Sequence, residues 1–254
     1  MVAVAVAAVV LAAPVQASPA AQAFDAGRFA EAAKLGRQEG TAASLTVAGR
    51  AQATVAAFQT SDRKAARDGL LAAERDFDAA LALQPGKPDA LLQKAIAIGY
   101  RAKLENSPGL AKAVRRNFEA ILAKRPNDAL ALGAMGGWHG ESVATLGKFL
   151  AGTALGAKEG EAKRFYEKAL AAPGADPAVP VFYATTLLNL SASNAERAKA
   201  LLQRAVRAQA GDGFERLMQA HARAILKPLE AGDVAGAQAT AKRLSPLGTL
   251  ERLG

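Results

Sequence analysis

Apolar residues recur at helical spacing through most of the chain, and one amphipathic phrase is written three times with drift. It reads FDAALALQP at residues 77–85, FEAILAKRP at 118–126 and YEKALAAP at 166–173. In the first copy Leu70, Ala73, Phe77, Ala80 and Leu81 fall on one helical face. Leu110, Val114, Phe118 and Ile121 repeat the arrangement, as do Ala162, Tyr166, Ala169 and Leu170. Laying AKRFYEKALAA (162–172) over AKALLQRAVRA (198–208) gives a fourth copy, with Leu202 in the aromatic slot and no closing proline. New helix starts follow the prolines at Pro88-Asp89, Asn127-Asp128 and Asp176-Pro177, and Asp212 marks another before Phe214. The recurring unit is therefore a helical hairpin. A hairpin buries its apolar faces against its neighbours, so a series of them stacks into a solenoid.

The copies carry a family resemblance. Ala73, Phe77, Ala80 and Pro85 match the second helix of the tetratricopeptide repeat: Ala, a large residue four later, Ala three after that, and a closing Pro. Ala162, Tyr166 and Ala169 match too, with Pro173 one residue early, whereas Val114 and Ile121 replace both Ala positions in the middle copy. The runs FDAGRFAEA (24–32) and LEAGD (229–233) resemble the turn between paired helices. The resemblance implies an all-α, right-handed α-solenoid of stacked antiparallel hairpins, about five to six of them, spanning residues 18–254 as one domain.

Spacing adds detail. The intervals Phe77 to Phe118, Phe118 to Tyr166 and Tyr166 to Leu202 are 41, 48 and 36 residues, against a family period of about 34. The first excess predicts one extra turn in each helix of a hairpin. The second predicts a loop around residues 151–158. Serine-rich stretches at 60–62 and 191–194 read as turns, and no segment alternates cleanly enough to predict a strand.

Composition reinforces the helical reading, because Ala is the most frequent residue and has the lowest helix cost. Residues 1–23 stand apart. An uninterrupted apolar run at 2–13, Pro14, and small residues at alternate positions in Val15-Gln16-Ala17 predict a secretory signal peptide cleaved after Ala17, although no Lys or Arg precedes the run. At 12 residues the run falls short of the roughly 20 a bilayer span requires. The expected setting is the periplasm, or export, with no integral segment after cleavage. Zero cysteines exclude thiolate catalysis and cysteine-ligated metals. The first charged residue is Asp25, so the net charge of +9 stays on the mature chain, spread over nearly every helix. Such a surface suits anionic lipid or glycan better than nucleic acid, for which aromatics would interleave with the basic residues.

The least regular segment is LGAMGGWHGESVATLG at 132–147. Five glycines within a helix cost about 3 to 5 kcal/mol relative to alanine. Either a neighbouring helix approaches closely there, or backbone is exposed beside a ligand. The segment also holds the chain's only Trp and one of its two His residues. Its Gly-x-Trp-His run resembles one in a subset of envelope tetratricopeptide proteins and in regulators of microtubule dynamics, a match too short to carry a function. His139-Gly140-Glu141 lacks the cysteine partners of a zinc deaminase. As a dyad it places its two side chains about 200° apart on the helix. No serine nucleophile motif, phosphate loop or metalloprotease His pair is present.

These patterns point to a scaffold or adaptor that is not an enzyme and needs no cofactor or metal. It is expected to bind a protein segment, peptide or small ligand in a concave groove between the helices starting at Asp89, Asp128 and Pro177. The candidate lining residues are Tyr100, Trp138, His139, Glu141 and Tyr183. The alternative is a peripheral envelope protein held to anionic lipid or glycan by its charge.

Overall fold

The computed structural model describes residues 17–173 and 176–250. The expected signal peptide, residues 1–17, lies outside them except for Ala17. Twelve α-helices and no strand occur among the described residues. Helices α1 (Pro19–Asp25), α2 (Phe29–Glu39), α3 (Ala42–Thr54) and α4 (Arg63–Leu83) come first. Then follow α5 (Pro88–Leu104), α6 (Pro108–Lys124), α7 (Ala129–Leu150) and α8 (Glu159–Ala171). The chain continues through α9 (Ala178–Leu190), α10 (Ala195–Arg207), α11 (Gly213–Glu230) and α12 (Val234–Leu244).

Each helix packs on the next, and the odd-numbered helices also pack on one another in order. The helix starts have local causes. Side chains of Ser18, Thr41, Asp62, Ser107, Asp128, Asp212 and Asp233 accept backbone N–H bonds in the first turns of their helices, satisfying donors that the helix leaves unpaired. Gly27 and Gly232, with φ of 76° and 77°, make the tight turns between α1 and α2 and between α11 and α12.

The repeated phrase is the buried stripe of α4, α6, α8 and α10. Leu70, Ala73, Phe77 and Ala80 are fully buried, as are Ala162, Tyr166 and Ala169, and Ala198, Leu202 and Ala205. In α6 only Val114 and Phe118 are buried; Leu110 and Ile121 are half-buried.

The long intervals have a structural account. Helices α5 and α6 have 17 residues each, against 13 each in α9 and α10, one extra turn per helix. The expected loop at 151–158 is mostly absent. Helix α7 spans 22 residues with a break at Gly147, Ala151–Leu155 forms a turn of π-helix, and 156–158 lie outside helix. A helix can absorb the added residues because its backbone bonds stay internal, whereas a loop would leave them to water.

The two ends of the array meet. Helix α1 touches α11, and Gly213 is so close to the Phe24 carbonyl and Gly27 that a Cβ there would overlap backbone. Arg50 on α3 ion-pairs with Asp212 at 3.0 Å and lies 4.5 Å from the Phe24 ring centroid. After α12 the chain crosses back: the Leu247 N–H donates to the Ala57 carbonyl (2.6 Å) and the Thr249 hydroxyl to the Thr60 carbonyl (2.8 Å). Leu247 joins the core formed by α3, α4 and α5. Phe58 in the π-helical turn Val55–Gln59 contacts the rings of Tyr100, Phe182, Phe214 and His221, all of them half-buried.

Candidate functional site

The candidate site is an apolar cavity of about 260 Å³ between α5, α6, α7 and α9. Ile96, Val114, Phe118, Trp138, Tyr166 and Phe182 are among the large side chains of its wall. Three of these are positions of the repeat: Val114 and Phe118 in α6 and Tyr166 in α8 belong to the buried stripes. The remaining space exists because α5 and α7 carry glycine where a side chain would fill it, at Gly99, Gly133 and Gly137.

The glycine-rich helix serves two ends, residue by residue. A Cβ on Gly136 would stand 2.8 Å from the Tyr166 ring, and one on Gly140 would overlap the Thr186 methyl group. These two glycines admit α8 and α9, as the close-approach reading anticipates. Gly137 faces the cavity and Tyr166, whose hydroxyl would lie 3.2 Å from a Cβ there. Gly147 does neither: with φ 77° and ψ 158° it breaks the helix near its end.

Of the five expected lining residues, Tyr100, Trp138 and Glu141 meet at the cavity. Tyr100 sits edge-on to Phe58 with centroids 6.1 Å apart, and burial together with the Glu141 charge pushes its phenol pKa above the usual range. The Trp138 indole N–H donates to the Ala111 carbonyl at 2.8 Å, which fixes its ring against α6. Arg115 lies 5.5 Å from that ring's centroid. Glu141 accepts from Lys103 of α5 at 2.7 Å, a half-buried ion pair at the polar edge of the cavity.

His139 and Tyr183 are held elsewhere. His139 is buried between Trp138 and Phe165, its ring stacked on Phe165 at 5.7 Å, and its Nδ1 accepts the Lys158 backbone N–H at 3.2 Å. Burial, and secondarily the Arg115 charge, depress its pKa to about 4. Tyr183 stacks on Tyr166 at 4.7 Å and donates to Glu167 at 3.0 Å, which Arg197 also engages. Its pKa is pushed up to about 12 by burial and by Glu167. Both side chains have structural partners and neither lines the cavity.

Lys103, Phe118, Tyr166, Phe182 and Thr186 line the cavity without having been singled out as site residues. The pairing of Lys103 with Glu141 spans 38 positions, so no local pattern reports it. Gly99 did leave a signal, a glycine inside the apolar run AIAIGY. Among the described residues no buried side-chain N or O atom lacks a hydrogen bond. The walls therefore offer shape and apolar contact, and directional polar contact belongs to the edge near Lys103, Glu141 and Ser142.

The chain matches no protein-family model and no curated protein. What the site does rests on its chemistry.

Proposed function

We propose that the protein is a non-catalytic binding protein whose cavity takes one small, elongated apolar molecule with a polar end. The helices around it form a right-handed, tetratricopeptide-like solenoid exported to the periplasm. The repeat phrase and the 17- and 22-residue helices support the solenoid reading, and the apolar run at 2–13 supports export.

The cavity beside Trp138 carries the functional reading. At about 260 Å³ it lies just below the common range for small-molecule sites, about 300–1,000 Å³. Apolar walls of this extent leave packing contacts unmade that a bound apolar group would supply. An alkyl chain lying along Phe118, Trp138 and Phe182 would restore the missing contacts, and its polar end would reach Lys103 and Ser142. A peptide strand suits the cavity less well, because its backbone N–H and C=O groups need hydrogen-bond partners that the mainly apolar walls do not offer.

Trp138 is the sole tryptophan and lines the cavity, so its emission reports occupancy directly. Titration with dodecanol and dodecanoic acid is expected to give a saturable change in that emission. Gly99→Leu places its side chain in the cavity, with its Cβ 3.6 Å from Val114, and is expected to abolish the change while the protein stays folded. No saturable response from either compound, or the same response in Gly99→Leu, would refute the reading. Capture of a peptide that dodecanol does not displace would replace it.

A further inference from the structure

The end of α7 projects an apolar knuckle. Residues 144–150 are exposed without a break, and Leu146, Phe149 and Leu150 show 40%, 78% and 55% of their surface. Single exposed apolar residues are ordinary, but three within five positions form a patch. The patch is held in place. The Ala157 N–H donates to the Ala151 carbonyl at 3.0 Å, Arg115 to the Leu155 carbonyl at 3.1 Å, and Lys158 N–H to His139. Ala151, Leu155 and Ala157 are buried beneath it.

Basic residues predominate around the knuckle. The segments 106–118 and 142–158 supply Lys112, Arg115, Arg116, Lys148 and Lys158, with no Asp or Glu in either. The two segments are adjacent, since Ser107, Pro108 and Ala111 share the cavity edge with Thr145 and Leu146. Arg115 pairs with Glu119 and Lys148 with Glu159 at the margins. Lys112, Arg116 and Lys158 are exposed, and no salt bridge among the described residues engages them.

We infer that this knuckle is a docking surface for an anionic lipid bilayer. Phe149 and Leu150 would enter the acyl boundary, and the surrounding Lys and Arg side chains would lie at the headgroups. A bilayer supplies both features at once: an apolar interior for side chains that nothing covers, and a planar negative surface for cations set around them. No helix of the described residues is long and apolar enough to cross a membrane, so the contact would be peripheral. Because Leu146 and Thr145 also border the cavity, docking would hold its edge against the lipid. The surface argument stands on exposure and charge and does not depend on what the cavity holds.

Co-sedimentation with vesicles of phosphatidylglycerol and phosphatidylethanolamine, against phosphatidylcholine alone, tests this. The parent protein is expected to bind the anionic vesicles about 10-fold more tightly and to release as added salt shortens the screening length to about 3 Å at 1 M. Phe149→Ser with Leu150→Ser is expected to weaken anionic-vesicle binding about 10-fold at an unchanged melting temperature, because both side chains are exposed. Lys112→Glu with Arg116→Glu should act in the same direction. Phe149→Trp adds an indole whose emission, taken as the difference from the parent's, should shift to the blue on anionic vesicles. Three outcomes would each overturn the proposal: equal binding to both vesicle types, serine-variant binding as tight as the parent's, and no blue shift from the Phe149→Trp variant. So would competition by a soluble anionic polysaccharide that is equal for the parent and the serine variant. Gly99→Leu is expected to keep full vesicle binding, so failure of the ligand reading and failure of this one give different results.

Discussion

Gly136 and Gly99 sit in neighbouring helices and have opposite reasons to lack a side chain. Gly136 accommodates the Tyr166 ring, and Gly140 the Thr186 methyl group, whose threonine hydroxyl lies 3.2 Å from the Tyr166 hydroxyl. Replacing either by alanine gains helix propensity of about 0.5–1 kcal/mol, but overpacking typically costs about 1–3 kcal/mol. Gly136→Ala and Gly140→Ala are therefore expected to lower stability, read as a fall in the urea midpoint. Gly99 has no such conflict, since the nearest atom to an added Cβ is Val114 Cγ1 at 3.6 Å. Gly99→Ala is expected to raise stability by about 0.5–1 kcal/mol, and a loss would mean that the helix is strained there. Sequence showed that the glycines of α7 were costly. Which of them leave room for a helix and which for a ligand depends on residues tens of positions away, and no local pattern encodes that.

Helix α7 and the turn after it behave as one element because His139 ties them together. Its Nδ1 must be unprotonated to accept the Lys158 N–H, so charging the ring breaks that bond and puts a cation beside Arg115. The unfolded imidazole takes its proton near pH 6.5, whereas the folded one holds off until about 4. Between those values the unfolded state binds more protons. The stability from keeping His139 neutral is thus complete above about pH 6.5 and is lost as pH falls toward 4, by on the order of 3 kcal/mol. His221, depressed to about 4 by burial and by Arg243, adds the same slope. Asp176, raised to about 6 chiefly by burial and then by Glu215 and Asp212, opposes it over part of the range. Urea unfolding from pH 7 to 4 is expected to show the loss, and His139→Asn to flatten it; an unchanged slope in that variant would assign the effect to other groups. The length of this element was legible in the 48-residue interval, but its form was not. Extra residues between two repeats can enter a loop or a helix, and burial of Ala151 and Leu155 favoured the helical course.

Closure of the array rests on a seam with almost no tolerance. Gly213 meets the Phe24 carbonyl and Gly27, while Arg50 bridges Phe24 and Asp212. Gly213→Val is expected to separate α1 from α11 and to cost at least ~1–3 kcal/mol. Amide exchange should then quicken in α1, α2 and α11 while α5 to α8 keep their protection. Uniform quickening would mean that the seam and the cavity region unfold as one unit. With the last hairpin against the first and Leu247 set into the core of α3 to α5, Phe58 has ring partners on three helices.

The helical class, the hairpin unit, the buried stripes and the unequal helix lengths follow from spacing along the chain, because each arises from contacts between residues close in sequence or from a repeat that recurs. Tyr100, Trp138 and Glu141 were within reach for the same reason, lying on the faces of α5 and α7 that the repeat turns toward each other. His139 and Tyr183 were not separable from them, since the side of a helix that meets solvent, a neighbour or a cavity is set by what packs against it. The Lys103–Glu141 pair, the seam at Gly213 and the cavity itself join positions tens to hundreds of residues apart. They exist only once helix-on-helix packing has brought those positions together, and small changes of that packing, summed over the twelve helices of the described residues, determine where they meet.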